Sequence, residues 1–306
     1  MKMDNAQLAA FAAIIREGSF DAAARRLHVT PSAISQRIRQ LEERLGQVLV
    51  QRSSPCQATA AGRLLVRYTE EVALLETEML GALGGSEAAP AGERPVVRLP
   101  VAVNADSLET WFMAVIAALS ADTDLLFDLR VEDQDHSATL LRDGTVMAAV
   151  SASAAPVQGC RVEPLGVMRY LAVAAPDFAA RHFAHGVNSR SLARAPMLRF
   201  NPKDALQDQF IALQTTEPVA PPTHFVPSVH GFLGLTGAGL GWGMVPEVMA
   251  RPAIAAGQLV ELVRDKPLDV PLYWHRWRLE SQALAALSAA VGRGAKASLR
   301  PMPAGR

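Results

Sequence analysis

The 306-residue sequence predicts an α+β multidomain chain: a small helical unit with a short hairpin, a long helix, and a larger α/β domain. Three observations predict it. Residues 1–83 carry apolar side chains at helical spacing in four segments, with one pair of short strand-like stretches among them. Residues 84–95, GGSEAAPAGERP, are small and rich in Gly and Pro, the composition of a hinge. From residue 96 onward, short apolar runs alternate with helical ones, which implies α/β layers with mostly parallel sheets.

The elements follow in order. Leu8, Phe11 and Ile15 place a first amphipathic helix over 5–16, and Gly18 stops it. Ser19 can cap a short second helix from Asp21 to Leu27, in which Ala22, Ala23 and Ala24 allow close packing. His28 and Val29 make a tight turn. Thr30 and Pro31 then start a third helix, the hydroxyl capping and the proline losing no hydrogen bond at the first position. It runs to about Leu45 and ends at Gly46. Val48–Val50 and the stretch around Gln57 read as two short strands, a hairpin wing. Thr59 caps a fourth helix whose Leu65, Tyr68, Val72, Leu75 and Met79 repeat at 3, 4, 3 and 4 residues, a heptad seam that pairs with another helix. Beyond the hinge, strands are predicted at Val96–Val103, Leu125–Val131, Val146–Ser151, Met168–Ala174, Met197–Phe200, His224–Val226, Trp242–Val245, Leu259–Leu262 and Val270–Trp274. Ser107–Leu119 and His136–Arg142 are helices between the first three.

Lys plus Arg and Asp plus Glu both number 30, so the formal charge is zero. The average hides a split. Residues 1–60 hold eight basic and five acidic residues, a net of +3, leaving −3 for the rest. A basic end suits a module that binds a polyanion. Two distant cysteines, Cys56 and Cys160, make neither a disulfide framework nor a zinc site, and point to a reducing cytoplasm. No apolar run is long enough for a signal peptide or a membrane span.

On a helical wheel of residues 31–45, Ile34, Ile38, Leu41 and Leu45 share one face. Ser32, Gln36, Arg39 and Gln40 take the opposite face, flanked by Ala33, Ser35 and Arg37. A polar, uncharged start with basic residues beyond it is what reading base edges requires. Gln can contact adenine twice and Ala can meet a thymine methyl. Arg37 and Arg39, with Arg52 on the wing, can hold phosphates, and the helix N-terminus favours another. The plain alternative is an ordinary three-helix surface.

The stretch GSFDAAARRLHVTPSAISQRIRQLEERLGQVLVQR, Gly18 to Arg52, continued through Ala58–Gly62, resembles the DNA-binding domain of LysR-type transcriptional regulators. Within that family VAVNADSLETW (101–111), VEDQDHSATLLRDG (131–144), GLGWGMVPE (239–247) and PLYWHRW (271–277) are most similar to the lysine/arginine-responsive regulators of basic amino acid export. The resemblance covers nearly the whole chain. It implies a winged helix-turn-helix over 1–60 (helix-turn-helix about 19–39), a dimerising linker helix over 61–83, and an effector-binding domain over 96–300. That domain would be a two-subdomain α/β unit like a periplasmic binding protein, with subdomain 1 at about 96–165 plus 268–300 and subdomain 2 at about 166–267. Operator DNA, a second copy of the chain in a homodimer or tetramer, and RNA polymerase are the implied partners. The implied small molecule is an effector, with no cofactor. Val50 stands where many members carry phenylalanine, and Pro55 where many carry a second wing arginine, so one phosphate contact is missing.

Ligands of such folds bind in the crevice at the carboxyl ends of strands. Asn104, Asp106 and Ser107 follow the first strand there, and Glu132, Asp133 and Asp135 follow the next. Asn201 and Asp204 follow a strand of the second subdomain, and Ser228 can cap the next helix. Carboxylates in a cleft attract a cationic side chain or an α-ammonium, and capped helix starts hold a carboxylate. The bland readings are a helix cap for Asp106 and Ser107 and a solvated face for the acidic run. His230 stands where members of the basic amino acid group carry an acidic residue, a weaker and pH-dependent partner for a cation. Lysine, arginine or a related amino acid is the first effector predicted, with histidine or a neutral amino acid left open. No G-x-S-x-G and no H-E-x-x-H occurs, and GAGLGWG (237–243) precedes a strand instead of opening a helix. The chain is therefore read as no enzyme. The rivals are an enzyme built on a binding-protein fold and a regulator that needs no ligand.

Overall fold

The structure, a computed structural model, describes residues 3–83, 97–131 and 137–302. The predicted hinge 84–95 lies outside the described residues, as do Val96, Glu132, Asp133, Asp135 and His136.

Helices α1 (Asn5–Glu17), α2 (Phe20–Arg26) and α3 (Pro31–Leu45) bury Leu8, Phe11, Ile14, Ile34, Ile38 and Leu41 in one cluster. Each start is capped, those of α2 and α3 by the residues the sequence suggests. The Asp4 carboxylate accepts from Ala6 N, Ser19 Oγ from Ala22 N, and Thr30 Oγ1 from Ala33 N. Strands β1 (Val50–Gln51) and β2 (Gln57–Ala58) form the antiparallel wing. Glu42 on α3 fixes the wing by accepting from Leu49 N at 2.8 Å and Val50 N at 3.2 Å. Thr59 Oγ1 accepts from Gly62 N and so caps α4 (Ala60–Leu83). A Cβ at Gly62 would lie 2.1 Å from the Leu49 carbonyl oxygen, so only glycine lets the helix start against the wing.

That close start alters the predicted seam. Leu65 is 6% exposed and belongs to the core of the first domain, because the first turn of α4 closes that core. The exposed apolar stripe runs instead through Leu64, Tyr68, Leu75, Met79 and Leu83, with Val72 half-buried beside it. Leu74, on another face, packs into the core of the α/β domain. Arg67 reaches the same domain. It donates to the Gln158 and Gly159 carbonyls at 3.1 and 2.9 Å and lies 4.9 Å from the centre of the Trp277 ring.

In the α/β domain, β3 (Arg98–Val103) pairs in parallel with β4 (Leu126–Val131) and β5 (Ala148–Ser151). Between β3 and β4, α5 (Ala105–Ser107), a π-helical turn (Leu108–Phe112) and α6 (Met113–Asp122) run without a break. Helix α7 (Ser137–Arg142) precedes β5. The next strand, β6 (Cys160–Ala174), is 15 residues long. After it come α8 (Pro176–His182), α9 (Ser189–Leu192), β7 (Met197–Arg199), α10 (Leu206–Gln214), β8 (Thr223–Phe225), α11 (Val229–Gly237), β9 (Gly243–Pro246), α12 (Glu247–Ala255) and β10 (Val260–Glu261). The chain returns on β11 (Leu268–Trp277) and ends with α13 (Gln282–Ser298). The sheets are mixed, not mostly parallel. β6 carries the chain out of the first subdomain and β11 brings it back, so the two pair antiparallel along ten positions from Leu268↔Tyr170 to Trp277↔Cys160. β9 and β10 pair antiparallel with the far end of β6, while β7 and β8 are parallel. Trp274 and Trp277 of β11 and Leu284, Leu287 and Val291 of α13 fill the core of the first subdomain.

Candidate functional site

The face of α3 predicted to read DNA stands clear of the core. Ile34, Ile38 and Leu41 are buried, while Ser32, Gln36, Arg39 and Gln40 are exposed. Ala33, Ser35 and Arg37 are half-buried on the flanks. Thr30 Oγ1 and Ser32 Oγ lie 2.9 Å apart, which holds the Ser32 hydroxyl at the start of the helix. Arg52 is exposed on the wing with its guanidinium 5.0 Å from the centre of the Phe20 ring. Stacking on that ring restricts where the charge can point. One side of the first domain thus offers neutral hydrogen-bonding groups on a helix and cations at its edges.

A cavity of about 610 Å³ opens between the subdomains, at the ends of β3, β7 and β9. Asn104, Asp106, Asn201 and Asp204 line it, so four of the predicted residues meet there. Ser107, Ser228 and His230 do not. Ser107 is fully buried behind the wall. Ser228 Oγ is turned to its own helix and accepts from Gly231 N. His230 has a side chain 70% exposed and pairs at 3.1 Å with Glu109 of the π-helical turn, outside the cavity. The acidic run Glu132, Asp133 and Asp135 lies outside the described residues.

Tyr170, Lys203, Gln209 and Asp269 line the same cavity and were not singled out from the sequence. Tyr170 and Asp269 sit within the paired crossover strands, where local sequence gives no loop or cap signal. The Tyr170 hydroxyl donates to Asp106 Oδ2 at 2.6 Å. Burial pushes the Asp106 carboxyl up to about 6; the Tyr170 bond works against this and the nearby Asp204 charge adds to it. Burial and the Asp106 charge hold the Tyr170 phenol well above its ordinary range. Across the cavity Asp204 is fixed by Phe200 N and Leu206 N, each donating at 3.0 Å. The Asn201 side-chain oxygen accepts from Lys203 N and Asp204 N and shapes that loop. Asp269 is gripped by two 2.7 Å bonds from Arg169, which hold its carboxyl below the usual range. Asn104 Oδ1 is buried with no hydrogen-bond partner among the described residues. An acceptor and two carboxylates, one of them costly to ionise because it is buried, suit a donor that brings positive charge.

Among the described residues no three His, Cys, Asp or Glu side chains are grouped to hold a metal, and no helix is long and apolar enough to cross a membrane. Two family descriptions match the chain: "Bacterial regulatory helix-turn-helix protein, lysR family" over residues 6–63 and "LysR substrate binding domain" over 92–296. The HTH-type transcriptional regulator LysG of Mycobacterium tuberculosis is 50% identical, over 95% of this chain and 93% of its own. The lysine export transcriptional regulatory protein LysG of Corynebacterium glutamicum is 42% identical over 98% of this chain and 100% of its own. The solved structure of full-length LysG from Corynebacterium glutamicum with bound effector Arg superposes with a TM-score of 0.80 at 41% identity, covering 98% of this chain and 100% of that one. These relatives are named as regulators, not as enzymes. With a helix-turn-helix at one end, a ligand-sized cleft at the other and likeness along nearly all its length, the chain belongs to the LysR family of DNA-binding transcriptional regulators whose activity is set by a small-molecule effector.

Proposed function

We propose that the effector is a cationic amino acid, arginine or lysine, and that the regulated gene encodes an exporter of such amino acids. One observation carries the reading: Asp106 and Asp204 line one cavity with the unsatisfied Asn104 oxygen. A guanidinium or ammonium beside Asp106 offsets the cost of its buried charge, which a neutral side chain cannot do. Lys203, the cation of that lining, suits the effector carboxylate. The bound arginine of the Corynebacterium relative supports the same class of ligand. The seam Leu64, Tyr68, Val72, Leu75 and Met79 pairs two copies through α4, and the DNA-bound dimer acts on transcription with RNA polymerase as a partner.

Calorimetry with the full chain tests the effector. Arginine or lysine should bind, and citrulline, with arginine's shape and no charge, should bind at least tenfold more weakly. A charge-assisted hydrogen bond is worth about 1.5–3 kcal/mol, so Asp106→Asn should weaken arginine binding about ten- to a hundredfold. Equal affinity for arginine and citrulline would sink the assignment.

A further inference from the structure

Helix α13 joins three parts of the chain that are distant in sequence. At its start the Glu78 carboxylate of α4 accepts from Ser281 Oγ at 2.6 Å, Ala283 N at 2.9 Å and Gln282 N at 3.3 Å. Ser281 is itself the cap, accepting from Leu284 N. The linker helix thus supplies an anion to the positive end of α13, in reach of amides that have no partner within the helix.

At the other end, the chain leaving α13 lies along β6. Val167 and Arg300 exchange both backbone hydrogen bonds, at 2.8 and 3.0 Å. The contact sits at Gly166, whose φ of +146° is a backbone conformation side chains rarely adopt. A Cβ there would lie 2.7 Å from the Arg300 carbonyl oxygen. Opposite Gly166 the β6–β11 ladder shifts register, between Leu272 and Tyr273, where the two strands pass from one subdomain to the other. Arg300 then reaches into the second subdomain. Its guanidinium donates twice to Glu247 Oε2, at 3.0 and 2.7 Å. Glu247 opens α12 directly after Pro246, which lines the effector cavity. Burial opposes the charge of Glu247, but Arg300 and Arg251 together hold its carboxyl below the usual range.

We infer that α13 is a strut that carries closure of the effector cleft to the linker helix, with Arg300 and Glu78 as the positioning residues at its two ends. The inference rests on the effector reading above and adds the route by which that site acts. When the second subdomain closes on a ligand, the β9–α12 corner moves with it. Glu247 takes Arg300 along, and the tail is pinned to the crossover at Val167. Between its ends α13 is a packed helix of 17 residues, about 25 Å long, with Leu284, Leu287, Val291 and Ala295 buried. A body of that stiffness passes a shift at one end to Glu78 at the other, and Glu78 belongs to the helix that carries the reading domain.

The test separates binding from response in the full-length protein. Arginine affinity is measured by calorimetry. DNA affinity, with and without saturating arginine, is measured by anisotropy on an operator fragment selected from random sequences by the parent protein. Arg300→Gln should bind arginine within about twofold of the parent. Its ratio of DNA affinities with and without arginine should collapse to about one, and Glu78→Ala should behave alike. Arg300→Glu combined with Glu247→Arg should restore the ratio, which a merely structural tail would not do. An unchanged ratio in Arg300→Gln, or failure of the swapped pair to restore it, overturns the strut. Should the parent's DNA affinity ignore both arginine and lysine, the effector reading falls. The strut is then judged by the distance distribution between spin labels placed at Glu76 and Val248: broadening in Arg300→Gln supports it, and an unchanged distribution overturns it.

Discussion

Gln36 and Arg52 are both exposed on the side expected to face DNA, and chemistry gives them different tasks. A glutamine amide matches the edge of one base, whereas a guanidinium answers to any phosphate. Gln36→Ala should cost about 1–3 kcal/mol on the selected operator and little on random DNA. Arg52→Ala should weaken both alike and lower the salt slope by about one. Salt titrations on the two DNAs would show this; equal losses on both for Gln36→Ala would mean that α3 does not read bases. Asp106 sets a pH dependence of another kind. Burial pushes its carboxyl up to about 6, and a bound cation must lower it. Cation binding therefore expels a proton below that pH. Arginine affinity should be flat above about pH 6 and fall by up to tenfold per unit beneath it. In Asp106→Asn the profile should lose that limb. Asp106 itself was legible, since a carboxylate after a strand and before a helix marks a cleft loop. Its partner Tyr170 was not, because nothing local in strand β6 announces a residue that meets Asp106 64 positions away.

Elements were readable where a single period governs them. The caps at Ser19, Thr30 and Thr59 and the apolar face of α3 stand in the sequence much as they do in space. The sequence predicts the crossover strands short, as Met168–Ala174 and Val270–Trp274, and ahead of the first of them Pro164 and Gly166 look like punctuation. In the structure these residues fall near the register shift, where the ladder tolerates them. The seam of α4 was displaced for a different reason. A heptad count treats the helix as free, but its first turn is committed to the core beneath the wing, so Leu65 turns inward and Leu64 outward. Exposed leucines, a tyrosine and a methionine along one face of a helix call for a second surface. Val72→Asp with Leu75→Asp should place charge in the paired seam and shift the full chain toward monomer in light scattering. An unaltered mass would remove α4 from the dimer contact.

At the scale of the whole molecule, the order of parts could be read from alternation and composition, and the family from long motifs. What the sequence withheld was mutual position: which loops share the cleft, and where α13 touches its neighbours. Such placement depends on pairing between residues a hundred or more positions apart, like Arg169 with Asp269 and Glu78 with Ser281, and no local period encodes it. The missing side chain at Gly62 has its meaning at this scale too. Because α4 begins in contact with the Leu49 carbonyl, the reading domain has no joint where it meets the long helix. The helix is 24 residues long, hence about 36 Å, and works as a rigid lever arm with the reading head fixed at its tip. Tilting such an arm by about 5° carries the tip about 3 Å, close to the rise of one base pair. In the proposed dimer, two such arms would therefore convert a small adjustment beside the effector into a whole step of operator spacing, a gear ratio set by helix length.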